Sequence, residues 1–143
     1  MFNITEPLPP ITLTVKDLMA LDTLLTIEPS SKAKSDDHIM EYLQRELNRA
    51  DVVAEKDLPD NIVRMYSTVT YSTNVFGEER RLTLVYPKEA NIDAGKVSVM
   101  TPIGAALIGM KAGNKITYYT PSGGAQTLTV LGVNPPINEG GQQ

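Results

Sequence analysis

Cysteine and tryptophan are absent from this sequence, histidine occurs once (His38) and phenylalanine twice. Without cysteine there is no disulfide, no thiolate nucleophile and no cysteine-based metal site. One histidine cannot build a multi-histidine metal centre. Ser98, Ser122 and the threonines have no histidine near them in sequence to activate them, which argues against a Ser-His-Asp enzyme. No window approaches the roughly 20 apolar residues of a membrane span. The start, MFNITEPLPP, has neither a basic segment nor an unbroken apolar run, so no signal peptide is read and the cytoplasm is the expected compartment. Basic charge is also in short supply. The net charge of −4 argues against adhesion to nucleic acid or anionic lipid, which needs clustered Lys and Arg.

What is present suits a soluble globular chain: 143 residues, 41% hydrophobic and 21% charged, enough for one ordinary domain or two small ones. Pro7, Pro9 and Pro10 oppose regular structure at the start. Thr14 then reads as a helix N-cap with Asp17 at N3, close to a capping box. Leu18, Leu21 and Leu25 lie on one helical face, and Pro29 ends that helix. A second helix is expected from an N-cap at Ser35, with Asp36 and Asp37 in its first turn, where carboxylates meet the positive end of the dipole. Its stripe is Ile39, Leu43, Leu47 and Ala50, and Glu41 and Arg45 form an i,i+4 pair on another face. Two such helices with a short connection predict an antiparallel hairpin. At about 15 residues each, the rod is about 20–25 Å long at 1.5 Å per residue.

From Ile62 the pattern shifts towards period two. Strands are expected over Tyr66–Tyr71, Arg81–Tyr86, Val97–Met100, Ile116–Thr120 and Thr127–Val133, with turns at Asn74–Glu78 and Pro121–Gly124. Thr101 can cap and Pro102 suits the first position of a short helix ended by Gly109 or Gly113. These elements predict a small, bent antiparallel sheet carrying one short helix. The expected division is a flexible tail over 1–11, a helical hairpin over 12–60, a β domain over 61–134 and a flexible tail over 135–143. The fold class is α+β.

Few side chains here could carry chemistry. Asp36 and Asp37, with His38 beside them, could hold a divalent cation or meet a basic partner; dipole complementarity alone also explains the two carboxylates. Gly104 and Gly109 do not have phosphate-loop spacing, and no Lys-Ser/Thr pair follows them. Small residues at these places let a short helix lie close on a sheet. The sequence carries no catalytic constellation, no metal site and no cofactor motif.

The run VSVMTPIGAALIGMKAGNKITYYTPSGGAQTLTVLGV, residues 97–133, resembles the C-terminal domain of the GreA/GreB transcript-cleavage factors. Order, spacing and length agree: strand, Thr-Pro-Ile, small-residue helix, glycine, strand, Pro-Ser-Gly-Gly turn, final strand. Within that family the chain is closer to a member with a short hairpin, over RRLTLVYPKEANIDAGKVSVMTPIGAALIGMKAGNKI (80–116) and LNRADVVAEKDLPDNIVRMYSTV (47–69). The resemblance implies an N-terminal helical hairpin, or short coiled coil, and a C-terminal FKBP-like domain. It implies binding to bacterial RNA polymerase at the rim of the secondary channel, by a monomer without sequence-specific nucleic-acid contacts. In the Gre factors a long coiled coil enters the channel and acidic tip residues help hold the second Mg²⁺ for transcript cleavage. The docking segment of the C-terminal domain maps onto Thr101, Pro102, Ile103 and Gly104, and the hairpin tip onto Asp36, Asp37 and His38. A hairpin of 20–25 Å is too short to reach the active centre from that rim, about 1.5 Å per residue being all that a helix provides. The resemblance therefore implies competition with Gre factors without cleavage. The alternatives are an active cleavage factor and, on the fold alone, a peptidyl-prolyl isomerase.

Overall fold

The computed structural model describes residues 10–27, 34–74, 77–119 and 124–136. The chain runs β1 (Thr12–Thr14), α1 (Val15–Ile27), α2 (Lys34–Arg49), β2 (Asp51–Val53), β3 (Thr68–Thr73), β4 (Arg80–Val85), β5 (Lys96–Ser98), α3 (Pro102–Leu107), β6 (Lys115–Tyr119) and β7 (Ala125–Asn134). The described residues form a mixed α+β arrangement of three helices, a five-stranded sheet and a two-stranded one.

Thr14 caps α1: its Oγ1 accepts the N–H of Asp17 at 3.0 Å, which satisfies one of the amides a helix start leaves unpaired. The α1 stripe faces inward, with Leu21 buried and Leu18 and Leu25 partly buried against the same cluster. On α2, Ile39, Leu43 and Leu47 are buried, and so are Tyr42 and Glu46. Two local expectations are corrected. The second helix begins at Lys34, so Ser35 lies inside its first turn rather than capping it. Its ion pair is Arg49 with Glu46, two contacts at 2.7 and 2.8 Å, and not Glu41 with Arg45; the Glu46 side chain is nearly enclosed, which gives this pair a drier setting than an exposed one.

β1 and β2 flank the two helices and pair in parallel, Thr12 with Asp51 through Thr14 with Val53. The larger sheet has the order β5-β4-β3-β7-β6. β3, β4, β6 and β7 are antiparallel neighbours, but β5 lies parallel to β4, Thr83 with Lys96 through Val85 with Ser98. This corrects the expectation of a wholly antiparallel sheet. Residues 86–95 between β4 and β5 form a crossover through two short 3-10 turns, the kind of connection that parallel strands need and a tight hairpin does not. β7 bends where its register to β3 shifts between Thr70 and Tyr71, leaving Leu131 in a bulge.

One hydrophobic cluster joins the whole. It takes Leu13, Leu21, Ile39, Leu43 and Leu47 from the N-terminal part, and Val63, Met65, Val69, Leu84, Leu107, Met110 and Leu128 from the part after residue 60. Ile11, in the segment expected as tail, is buried, and the neighbouring Thr12 N–H donates to the Gly109 carbonyl at 3.1 Å. Gly109 has φ +79, and a Cβ there would lie 2.7 Å from that of Ile11, so conformation and space both call for glycine.

Because Leu43 is fully buried in this shared cluster, Leu43→Ala should destabilise the protein by about 2–5 kcal/mol. The far-ultraviolet helical signal and the near-ultraviolet signal of the sheet tyrosines should fall in one transition. Two separated transitions would show that the helices and the sheet unfold independently.

Candidate functional site

The segment Thr101–Gly104 is built by its own chemistry. Thr101 is extended (φ −110, ψ 161), and its Oγ1 accepts the Gly104 N–H at 3.1 Å while donating to the Ser98 carbonyl at 2.7 Å. The hydroxyl thus caps α3 and ties it to the end of β5. Pro102 follows in the first turn, where its missing N–H costs nothing. Gly104 is buried, and a Cβ there would overlap the Ser98 carbonyl oxygen and press on the Val99 backbone. It sets how closely α3 lies on the strand, as the small residues suggested. Thr101, Pro102 and Ile103 are half-buried and present the outer edge of this turn.

Asp36, Asp37 and His38 fall on the first turns of α2 by backbone; their side chains lie outside the described residues. Among the described residues no helix is long and apolar enough to cross a membrane.

A second group of residues comes together that the sequence did not single out. Asp17, expected in a capping box, is buried, and its Oδ2 instead accepts the N–H of Met65 at 3.0 Å. Burial pushes its carboxyl above the usual aspartate range, opposed by the Met65 N–H and by the Arg64 guanidinium. The turn that follows is fastened at each residue. The Arg64 N–H donates to Ser67 Oγ at 3.0 Å, and its guanidinium reaches Glu55 at 2.6 Å, which lowers the Glu55 carboxyl. The Tyr66 N–H donates to the Leu84 carbonyl at 2.6 Å, and the Leu84 N–H to that of Ser67 at 3.0 Å. Tyr66 has φ +72, the one left-handed residue other than glycine among those described. The residue is 41% exposed, and its ring stands edge-on to Tyr86, with centroids 5.8 Å apart. The Tyr66 hydroxyl donates to Glu89 Oε1 at 2.7 Å. Desolvation, then that bond and the Glu89 charge, push the phenol up to about 12. A tyrosine in left-handed conformation leaves no sequence signal, because Asn, Asp or Gly is expected there.

Residues 58–135 match the family "Transcription elongation factor, GreA/GreB, C-term". The chain belongs to the GreA/GreB family. It is 39% identical over 93 residues to the regulator of nucleoside diphosphate kinase (Rnk) of Escherichia coli K12, across 65% of this chain and 68% of that protein. It is 42% identical over 91 residues to the transcription elongation factor GreA of Chloroflexus aurantiacus, across 64% of this chain but only 57% of the relative. The solved structure of a transcription elongation factor GreA/GreB from Nitrosomonas europaea superposes with a TM-score of 0.70 at 33% identity, covering 89% of this chain and 99% of the other. These relatives are named as a regulator or as elongation factors. The α3 segment and the Tyr66 turn both fall within the matched range 58–135.

A buried carboxyl whose pKa is raised on folding holds its proton more tightly in the folded chain. It favours folding fully below the ordinary aspartate value of about 3.9, and that contribution is lost as pH rises through the raised value. Asp17→Asn keeps an acceptor for Met65 and removes the charge. Denaturant titrations from acid to neutral pH should show Asp17→Asn gaining on wild type as pH rises through that window. Asp17→Ala, which leaves the Met65 amide unpaired, should be about 1–3 kcal/mol less stable than Asp17→Asn at all pH. A constant gap between wild type and Asp17→Asn would show that the carboxyl is not perturbed.

Proposed function

We propose that this protein is a transcription regulator that binds bacterial RNA polymerase at the entrance of the secondary channel. It competes there with Gre factors and does not cleave the transcript. On this reading the chain is a binding protein rather than an enzyme, a cytoplasmic monomer that needs no cofactor. α1 and α2 act as a short antiparallel hairpin over 12–60, and the sheet with α3 acts as an FKBP-like domain over 61–134.

The observation that carries the reading is the length of the helices. α1 has 13 residues and α2 has 16, so the longer spans about 24 Å at 1.5 Å per residue. A rod of that length on a GreA/GreB C-terminal domain can occupy the mouth of a channel without delivering carboxylates to its far end. Asp36, Asp37 and His38 then act as tip charges rather than as metal ligands. The match to Rnk over 93 residues and the superposition on the Nitrosomonas europaea structure support a reading as a family member with a short hairpin. Docking is assigned to Thr101, Pro102 and Ile103, with Gly104 fixing the height of α3 beneath them. A stiff turn with a capped start loses little conformational freedom on binding.

Pro102→Ala should remain folded by circular dichroism and weaken capture of polymerase core enzyme several-fold. Thr101→Ala should do the same while losing about 1 kcal/mol of stability with its cap. Folded variants that bind like wild type would remove the docking assignment. On gels of end-labelled RNA from backtracked complexes, with GreA as positive control, the protein should produce no shortened transcript at any Mg²⁺ concentration and should reduce cleavage by GreA. Shortened RNA, abolished in the Asp36→Asn, Asp37→Asn double variant, would make it a cleavage factor.

A further inference from the structure

Tyr66 is held in a conformation that disfavours a bulky side chain, and yet the residue is partly exposed. A left-handed non-glycine residue persists only where its surroundings over-determine it, and such residues gather at functional sites. Here the over-determination is explicit: Met65 is pinned by Asp17, Tyr66 by Leu84 through the backbone and by Glu89 through the hydroxyl, and Ser67 by Arg64 and Leu84. Glycine would relieve the backbone at position 66. What a glycine could not supply is the ring, its edge-on packing with Tyr86 and its bond to Glu89.

The charged groups that act on the two phenols are carboxylates, while Arg64 and Lys16 offset Asp17. Glu89 accepts the Tyr66 hydroxyl but makes no ion pair among the described residues. The phenols of Tyr66 and Tyr86 both feel the negative charges of Glu89 and Asp17. The Arg64 guanidinium is turned to Glu55. Two aromatic rings, with electron-rich faces, beside a carboxylate that has no ion pair among the described residues are complementary to a cation. The patch is fixed to the α3 segment: the Val99 N–H donates to the carbonyl of Val85, the residue before Tyr86, and Val99 lies two positions ahead of Thr101.

We propose that Tyr66, Tyr86 and Glu89 form a preformed recognition site for an arginine or lysine side chain of a partner protein, with the carboxylate meeting the charge and the rings its flat or methylene surface. Arginine fits best, since its planar guanidinium can stack on a ring while donating to the carboxylate. In taking RNA polymerase as the protein that presents this cation, the inference rests on the preceding reading.

The test has two arms. In the first, N-acetyl-arginine amide is titrated into the full chain in the millimolar range while aromatic NMR signals are followed, with N-acetyl-glutamine amide as the neutral control. The Tyr66 and Tyr86 ring signals should move with the arginine compound alone, and the response should be lost in Glu89→Gln. In the second, capture of polymerase core enzyme is measured with Glu89→Gln and with Tyr66→Gly, which the backbone at φ +72 tolerates. Each should weaken binding about three- to tenfold, as expected for one exposed cation contact, and Tyr66→Gly should remain folded by circular dichroism. Rings unmoved by the arginine compound, or moved equally in Glu89→Gln, overturn the site whatever polymerase does. Ring shifts with no capture of polymerase by wild type uphold the cation site and overturn the polymerase reading. Capture that is unchanged in both variants overturns the use of this site in docking.

Discussion

The carboxylate of Asp17, set in the first turn of α1, accepts the amide of Met65, 48 residues along the chain. This bond joins the two parts of the molecule at the place where each has a constraint to meet. On one side is a helix start, whose amides Thr14 begins to satisfy. On the other is a turn that must put Tyr66 at φ +72 before the chain can enter β3. A buried carboxyl is a costly way to make such a link, since desolvation opposes its charge. Its return is direction: an oxygen held by a helix fixes an amide in a turn, and that turn fixes the register in which Leu84 of β4 meets Tyr66 and Ser67. Helices and sheet then bury their apolar faces in one cluster.

The same economy governs the α3 segment. Thr101, Pro102 and Gly104 carry no reactive group, and each settles a geometric question: where the helix begins, how the chain enters it, and how near it lies to β5. On the proposed reading such a segment would suit docking, because a surface whose conformation is fixed beforehand loses little entropy on contact. The Tyr66 turn adds a second rigid feature to the same framework, bonded through Val85 and Val99 to the strand end that leads into α3.

Much of this was legible in the residues. The cap at Thr14, the apolar stripes of α1 and α2, the turn at Gly77 and the Thr101-Pro102 start of α3 are local events, decided by hydrogen bonds and periodicities within a few positions. The family was legible for the same reason, since the order and spacing of those events run along the chain. The short parallel pair of β1 and β2 was not, because three residues on each side give too little pattern to notice. The parallel course of β5 was missed because two 3-10 turns read as an ordinary loop.

By itself, then, the sequence determined the helices, most of the strands, the absence of thiol and multi-histidine chemistry and the membership of the GreA/GreB family. The tertiary structure alone decided what Asp17 does. A carboxylate at N3 is equally suited to closing a capping box or to reaching outward, and only the approach of Met65 selects between them. It also decided the left-handed Tyr66 and its place beside Tyr86 and Glu89. These groups are brought together by the pairing of β4 with the turn before β3, a contact between segments far enough apart that no local preference can foretell it.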